Sequence, residues 1–226
     1  MKPLKKLALF DLDHTLIPLD SDHAWGEYTT AIGWTDTTTF KAKNDWFYEQ
    51  YKAGTLVLAD YVRFSVAAAV NQGAIKSIAA RAEFIRAVIE FGIKPAALTL
   101  LATHRRAGDH LVIITATNEF VTRPIADRLG VQDLVAVELV QDATGWITGE
   151  IKGTPSFGPG KVTRMTQWLA ERHLGWTDVE CTFYSDSIND LPLLERVQHP
   201  VATNPDARLR EIALTRGWRI LDLFKN

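Results

Sequence analysis

At 226 residues the chain has room for one sizeable hydrophobic core, or for a core domain with a smaller inserted one. Hydrophobic residues at 46% and charged residues at 23% describe an ordinary globular protein and exclude a disordered or fibrous one. Lys and Arg total 25 against 27 for Asp and Glu, and this net charge of -2, with no long basic run, removes any bulk electrostatic reason to expect nucleic acid or an anionic membrane as partner.

The first six residues, Met1, Lys2, Pro3, Leu4, Lys5 and Lys6, have the charge of a signal peptide, but the apolar run behind them is interrupted at Asp11 and is too short for its hydrophobic region. No stretch is long enough to span a bilayer. That run, Leu7, Ala8, Leu9 and Phe10, suits a strand buried on both faces of a parallel sheet. It delivers Asp11 and Asp13 at its carboxyl end, where open α/β sheets bind ligands. Two carboxylates so placed suit Mg²⁺, which is shared between one or two acids and a substrate phosphate. They equally suit the end of a strand followed by a turn at Thr15.

From Leu16 to about Ala107 the pattern is helical. Ser21 or Asp22 is placed to cap a helix ending near Gly33, and 37–53 reads as a second helix stopped by Gly54. Thr55 caps a third running to Val70, and 75–91 forms a fourth, ended by Gly92. About 80 residues is far too long for a simple βα connection, so 17–94 is expected to be a helical cap inserted into a core made of 1–16 and 95–226. Trp25, Trp34, Trp46, Phe47, Tyr48, Tyr51, Tyr61 and Phe64 recur at helical spacing as the cap's own core, with one or two left to face a substrate.

Pro95 opens a helix to Ala107, and Leu111, Val112, Ile113 and Ile114 form the next buried strand, with Thr115 at its tip. Ala116, Thr117 and Asn118 read as the start of the following helix, whose free N–H groups favour an anion; Pro124 disturbs that helix. Residues 134–139 suggest a strand and 138–151 a hairpin at the mouth of the site. Lys161 precedes an amphipathic helix over 162–173, where a cation opposes the helix dipole and gains from nearby carboxylates. A second apolar strand ends at Asp186, with Asp190 four positions on where a helix begins; both also suit helix caps. Cys181, the only cysteine, lies in that strand; it excludes an intramolecular disulfide and makes a reducing cytoplasm the simplest home. Residues 199–202 and 218–221 read as the last strands, with Asn204 capping a helix between them.

The ordered set resembles the haloacid-dehalogenase superfamily of phosphohydrolases. Asp11-Leu12-Asp13-His14-Thr15 stands as its DxDx[TV] motif, Thr115 as the hydroxyl ending its second strand, Lys161 as its lysine, and residues 185–194 as [GS]DSxxDxxLL, with Ser185 in place of the commoner glycine. The resemblance implies an α/β fold, a doubly wound parallel sheet with an inserted helical cap. It implies Asp11 as nucleophile and Asp13 as general acid and base, whose presence favours phosphate over halide. It further implies Mg²⁺ held by Asp11, the Asp13 backbone carbonyl and Asp186, with Asp190 orienting Lys161 or a metal-bound water, and phosphate bound by Thr115, Ala116 and Lys161. Asn189 resembles the asparagine that reaches substrate in the phosphoserine-phosphatase branch.

The expected reaction is therefore hydrolysis of a small phosphomonoester through an aspartyl-phosphate, with a closing cap and no protein, nucleic-acid or membrane partner. Asp20, nine residues after Asp11 (20 minus 11), matches the acid that receives the substrate's amino group in that branch, with Asp22 as a second candidate; both also suit helix capping. Arg63 is a candidate partner for a substrate carboxylate. The stretch 20–26 looks closer to a subgroup that includes histidinol-phosphate phosphatases, which favours histidinol phosphate over phosphoserine. Two readings of another class are a receiver module that accepts phosphate on aspartate, whose acids cluster differently and which has no helical insertion of this size, and a non-catalytic phosphate binder, against which the intact set of acids and lysine weighs.

Overall fold

The computed structural model describes residues 4–224, so Met1, Lys2 and Pro3 of the basic start lie outside the described residues. The strands are β1 (Lys5–Phe10), β2 (His110–Asn118), β3 (Asp133–Val137), β4 (Leu139–Gln141), β5 (Ile147–Ile151), β6 (Val179–Ser185), β7 (His199–Thr203) and β8 (Arg219–Leu221). Six of them form one sheet in the order β3-β2-β1-β6-β7-β8, parallel throughout, while β4 and β5 form a separate antiparallel pair. The order runs outward in both directions from β1 and β6, so the crevice at their carboxyl ends is the switch point where such sheets bind ligands.

Between β1 and β2 come α1 (Ser21–Ala31), α2 (Thr37–Ala53), α3 (Leu58–Gln72), α4 (Ala74–Phe84), a π-helical turn at Ile85–Ile89 and a last helical turn α5 (Glu90–Gly92). α2 has the expected bounds: Asp36 accepts from the N–H groups of Thr38 and Thr39, and Gly54 ends it at φ 73°, a left-handed conformation that glycine adopts without steric cost. α1 is capped by Asp20 rather than by Ser21 or Asp22, because Asp20 takes the extended backbone from which a side chain reaches back to the N–H groups of residues 22 and 23. α3 begins at Leu58 without a side-chain cap; Thr55 instead donates its hydroxyl to Gln50 Oε1.

After the insertion follow α6 (Pro95–Ala107), α7 (Glu119–Arg128), α8 (Pro159–Ala170), α9 (Leu191–Leu194) and α10 (Ala207–Arg216). β1 alternates across the sheet: Leu7 and Leu9 meet Met165, Leu169, Leu193 and Leu209 from α8, α9 and α10, while Ala8 and Phe10 meet Leu101 of α6 and Val121 of α7. Leu7 to Phe10 are at most 3% exposed, and each large side chain buried there contributes roughly 1.5–3 kcal/mol, which lets the strand terminate in charge. Trp25, Val66, Phe84 and Ile89 belong to the same cluster as Phe10 and Ile113, so the insertion continues the hydrophobic core of one sheet face. Its aromatic residues divide accordingly. Phe40, Phe47, Tyr61 and Phe64 stack within the α2–α3 pair, whereas Trp25 meets Phe120 of α7 edge-on with centroids 5.8 Å apart.

Pro124 sits inside α7 and cannot donate to the Phe120 carbonyl. Arg81 of α4 supplies the missing donor, Nη1 to Phe120 O at 2.7 Å, with its guanidinium over the Phe120 ring. Asn204 does not cap the helix after β7. Asp206 does so, accepting from Leu209 N at 2.8 Å, while Asn204 Oδ1 holds the N–H groups of Leu223 and Phe224.

Candidate active site

Past β1 the chain wraps around one carbonyl: Leu12 O accepts the N–H groups of Thr15, Leu16 and Ile17. His14 enters the left-handed region at φ 54°, where its own carbonyl is held by Asn204 Nδ2 at 2.8 Å. This turn places both acids at the switch point. Asp11 is buried, and Asp13 accepts from Ser21 N at 2.9 Å on Oδ1 and from Thr117 Oγ1 at 2.8 Å on Oδ2. Burial first, then the charges of Asp20 and Asp11, push the Asp13 carboxyl well above the ordinary range.

Lys161 is 1% exposed and lies in the first turn of α8, which starts at Pro159, earlier than the sequence pattern implied. Gly160 makes this possible: a Cβ there would stand 2.1 Å from the Pro155 carbonyl oxygen. The ammonium donates to Asp11 Oδ1 at 2.7 Å and to Asp190 Oδ2 at 2.6 Å. Burial works to depress it, but Asp11 and Asp190 prevail and hold it above its ordinary value. Asp190 also accepts from Ser185 Oγ at 2.7 Å, so the residue standing where glycine is commoner buttresses the acid that orients the lysine. Asp11 is raised to about 6, chiefly by burial, with Lys161 opposing and Asp190 adding to the rise.

Asp186 follows β6 and accepts from Thr15 Oγ1 at 3.1 Å; burial, then Asp11 and Asp190, raise it well above the ordinary range. Lys161 thus answers Asp11 and Asp190 with a single charge, and Asp186, which both of those acids raise, makes no ion pair among the described residues, a charge deficit that a divalent cation fits. Among the described residues no group of three or more His, Cys, Asp or Glu side chains gathers as a ready ligand set. Mg²⁺ asks for less, one or two carboxylates with carbonyl, water and phosphate oxygens, so the donors here suit it.

Asp11 and Asp13 after β1, the buried Lys161 of α8, and Asp186 and Asp190 after β6 thus come together from three separated segments. The sequence profile of the haloacid dehalogenase-like hydrolases matches residues 8–195. The chain belongs to this family. It is 40% identical over 220 residues to a histidinol-phosphatase of Neisseria meningitidis serogroup C, covering 97% of this chain and 99% of that one. A crystal structure of a protein of unknown function from Bordetella pertussis Tohama I superposes with a TM-score of 0.92 at 44% identity, covering 98% of this chain and all of the other. A substrate-bound phosphoserine phosphatase superposes with a TM-score of 0.66 at 15% identity, over 97% and 94% of the two chains, a likeness of fold.

In this haloacid dehalogenase-like hydrolase the insertion closes a cavity over the two acids. Its floor is Asp11, Asp13, Thr115, Ala116 and Thr117; its walls are His14, Asp20 and, from the insertion, Phe47, Tyr48, Tyr51, Leu56, Leu58 and Tyr61. At about 30 Å³ it has room for a water or two, not for a metabolite. A larger open groove of about 650 Å³ lies against β6, β7 and β8, lined by Lys6, His104, Tyr184 and Arg219, and shares no residue with the acids' cavity.

The tip of β2 differs from expectation. Ala116, Thr117 and Asn118 do not begin a helix: the strand continues to Asn118 with a register shift against β3, and Asn118 Oδ1 closes the start of α7 by accepting from Val121 N. The bulge turns Thr117 toward Asp13, a contact across 104 positions that the sequence reading missed. Thr115 Oγ1 accepts from Thr117 N at 3.2 Å, which leaves its own proton for a ligand oxygen. Asp20 caps α1, Oδ1 accepting from Asp22 N and His23 N, and the same residue lines the cavity.

Three sequence assignments fall elsewhere. Asn189 lies outside the cavity and donates Nδ2 to the Tyr51 carbonyl at the end of α2, where Arg208 of α10 likewise donates to the Lys52 carbonyl. Arg63 turns outward to Glu150 of β5, Nε to Oε1 at 2.8 Å. That contact fixes the β4–β5 hairpin against α3, and the hairpin contributes nothing to the cavity wall. Cys181 is buried in β6, its thiol pushed up to about 12 by burial, and is inert.

Proposed function

We propose that the chain is a Mg²⁺-dependent phosphatase that works through an aspartyl-phosphate on Asp11, and that its substrate is a small phosphomonoester bearing a cation, histidinol phosphate in preference to phosphoserine. The buried contact of Lys161 with Asp11, opposite Asp13 in one cavity, carries the reaction type. Asp11 and Asp186, with the Asp13 backbone carbonyl, would hold Mg²⁺, which masks the phosphate's negative charge. A carboxylate oxygen of Asp11 attacks phosphorus while Lys161 and the Thr115 hydroxyl bind the equatorial oxygens. Asp13 gives its proton to the departing alkoxide, then takes one from the water that attacks the phosphoryl group, releasing phosphate and restoring Asp11. Tyr51, whose hydroxyl burial and the charges of Asp186 and Asp11 keep protonated, adds a neutral donor facing the same acids.

The substrate assignment is supported by the charge of the cavity wall. Asp20 and the faces of Tyr48, Tyr51 and Tyr61 suit an ammonium or imidazolium group, and among the described residues His14 is the only lining side chain with a basic function. With Arg63 bound to Glu150, a substrate carboxylate would find no partner there. The similarity to a protein named histidinol-phosphatase points the same way. The cavity's size means that the α2–α3 pair must move to admit any substrate, and on closing it would exclude bulk water.

Two measurements test the proposal. Beryllium fluoride with Mg²⁺ should give an adduct on Asp11 that Asp11→Asn abolishes together with activity. In a screen of phosphorylated metabolites, histidinol phosphate should have the highest kcat/KM, phosphoserine should be much poorer, and Asp20→Asn should erode the preference. Equal turnover of amine-free sugar phosphates would refute the substrate assignment and leave the aspartyl-phosphate chemistry standing.

A further inference from the structure

Asp22 is the fully buried carboxyl that the proposed mechanism leaves unused. It is 2% exposed, Oδ1 accepts from Asn118 Nδ2 at 3.0 Å, and Oδ2 is buried without a hydrogen-bond partner. The hydroxyls of Tyr61 and Ser65, both on α3, are the other polar neighbours that ease its charge, and Asp20 is the charged group that faces it. Among the described residues no lysine, arginine or histidine forms an ion pair with it. A carboxylate in such a place is costly unless a cation is paired with it. Burial, then Asp20, accordingly raise it to about 7.

Tyr61 is linked to both Asp22 and the cavity: burial first, then the charges of Asp22, Asp20 and Asp13, keep its hydroxyl protonated, and the residue lines the cavity that Asp20 also lines. We propose that Asp22 is a specificity-determining residue whose negative charge reaches the substrate's cation through Tyr61. A phenol polarised toward a carboxylate has an electron-richer ring, and the face of that ring binds a cation more strongly. Asp20 provides the direct charge and Asp22, through Tyr61, the buried one. The cationic substrate supplies the counter-charge that the fold omits, so the cost of the buried carboxylate is offset when the right ligand is bound and persists with a neutral one. This deepens the substrate reading above and rests on it.

The measurement is the ratio of kcat/KM for histidinol phosphate to kcat/KM for phenyl phosphate, a neutral-bodied phosphomonoester, in the full chain with Mg²⁺. Asp22→Asn keeps an oxygen for Asn118 and removes the charge; it should lower the ratio about tenfold, mainly through KM for the cationic substrate. Tyr61→Phe should lower the ratio in the same direction, and the double variant should fall no further than the larger single effect, because the two residues act in series. The ratio does not depend on the fraction of folded enzyme, so a merely structural role for Asp22 would lower both activities together and leave it unmoved. An unmoved ratio in Asp22→Asn, or fully additive effects of the two substitutions, overturns the inference. If the ratio survives Asp22→Asn but collapses in Asp20→Asn, the cationic substrate stands and only Asp22's part is wrong. A wild type with no preference for the cationic substrate overturns both.

Discussion

Replacing Lys161 by methionine removes the one cation from a buried cluster and keeps the volume of its stem. Lys161 is 1% exposed and donates to Asp11 at 2.7 Å and to Asp190 at 2.6 Å, so the variant leaves two buried carboxylates facing each other and Asp186. Deleting one partner of a buried ion pair costs about 3–5 kcal/mol, and the acids escape part of that cost only by taking up protons. Asp11 already stands at about 6 with the lysine present, and without it the carboxyl must rise further. The sign follows from proton counting. Between the ordinary carboxylate value and the raised one, the folded variant binds more protons than the unfolded chain, so its stability falls as pH rises through that window. The excess loss relative to wild type should therefore be small near about pH 6 and approach the full ~3–5 kcal/mol near about pH 8.5. Urea unfolding followed by tryptophan fluorescence, in EDTA to keep divalent ions out, measures it. A loss that is the same at both pH values, or larger at the lower one, would refute the assignment of Lys161 as the counter-charge of Asp11 and Asp190.

Three further outcomes are expected. Asp13→Asn should keep the fold and lower kcat by roughly 10² to 10⁴ as proton transfer to the alkoxide is lost, measured with histidinol phosphate and with an activated aryl ester whose leaving group needs no proton and which should suffer less. Gly160→Ala forces a Cβ to within 2.1 Å of the Pro155 carbonyl oxygen and should destabilise by about 1–3 kcal/mol while displacing Lys161, so activity falls more than the unfolded fraction explains. Arg81→Met orphans the Phe120 carbonyl that Pro124 cannot serve, and should lower the urea midpoint by an amount equivalent to about 1–3 kcal/mol.

The segments whose local and tertiary demands agree were legible in the sequence. The run from Leu7 to Asp11, the Gly54 stop of α2, Pro95 and Gly108 around α6, and the placing of Asp186 and Asp190 all follow from patterns that need no distant partner. What escaped depended on residues far away in the chain. The helix expected over 75–91 contains a π-helical turn, because Ile85 and Ile89 both reach the shared core. Ala116, Thr117 and Asn118 look like a helix start because the apolar run stops at Ile114, and only pairing with β3 keeps them extended. Thr117 as partner of Asp13, Asn118 as partner of Asp22 and Arg63 as partner of Glu150 are contacts between residues 104, 96 and 87 positions apart, and no local pattern encodes them.

The end of α2 ties traffic through the site to its chemistry. A helix leaves its last carbonyls open, and ordinarily water or the following turn takes them. Here Asn189 and Arg208, both from the sheet-bearing part of the chain, serve the carbonyls of Tyr51 and Lys52. Lifting α2 off means wetting those oxygens again, at about 0.5–1.5 kcal/mol for each bond given up. Asn189 immediately precedes Asp190, which grips Lys161, so one short turn carries both a bond to the end of α2 and the acid that sets the lysine. If the α2–α3 pair lifts to admit substrate as proposed, the same two bonds would act as a timer, holding the lysine's turn in place until the pair opens and letting phosphate leave only once they are lost.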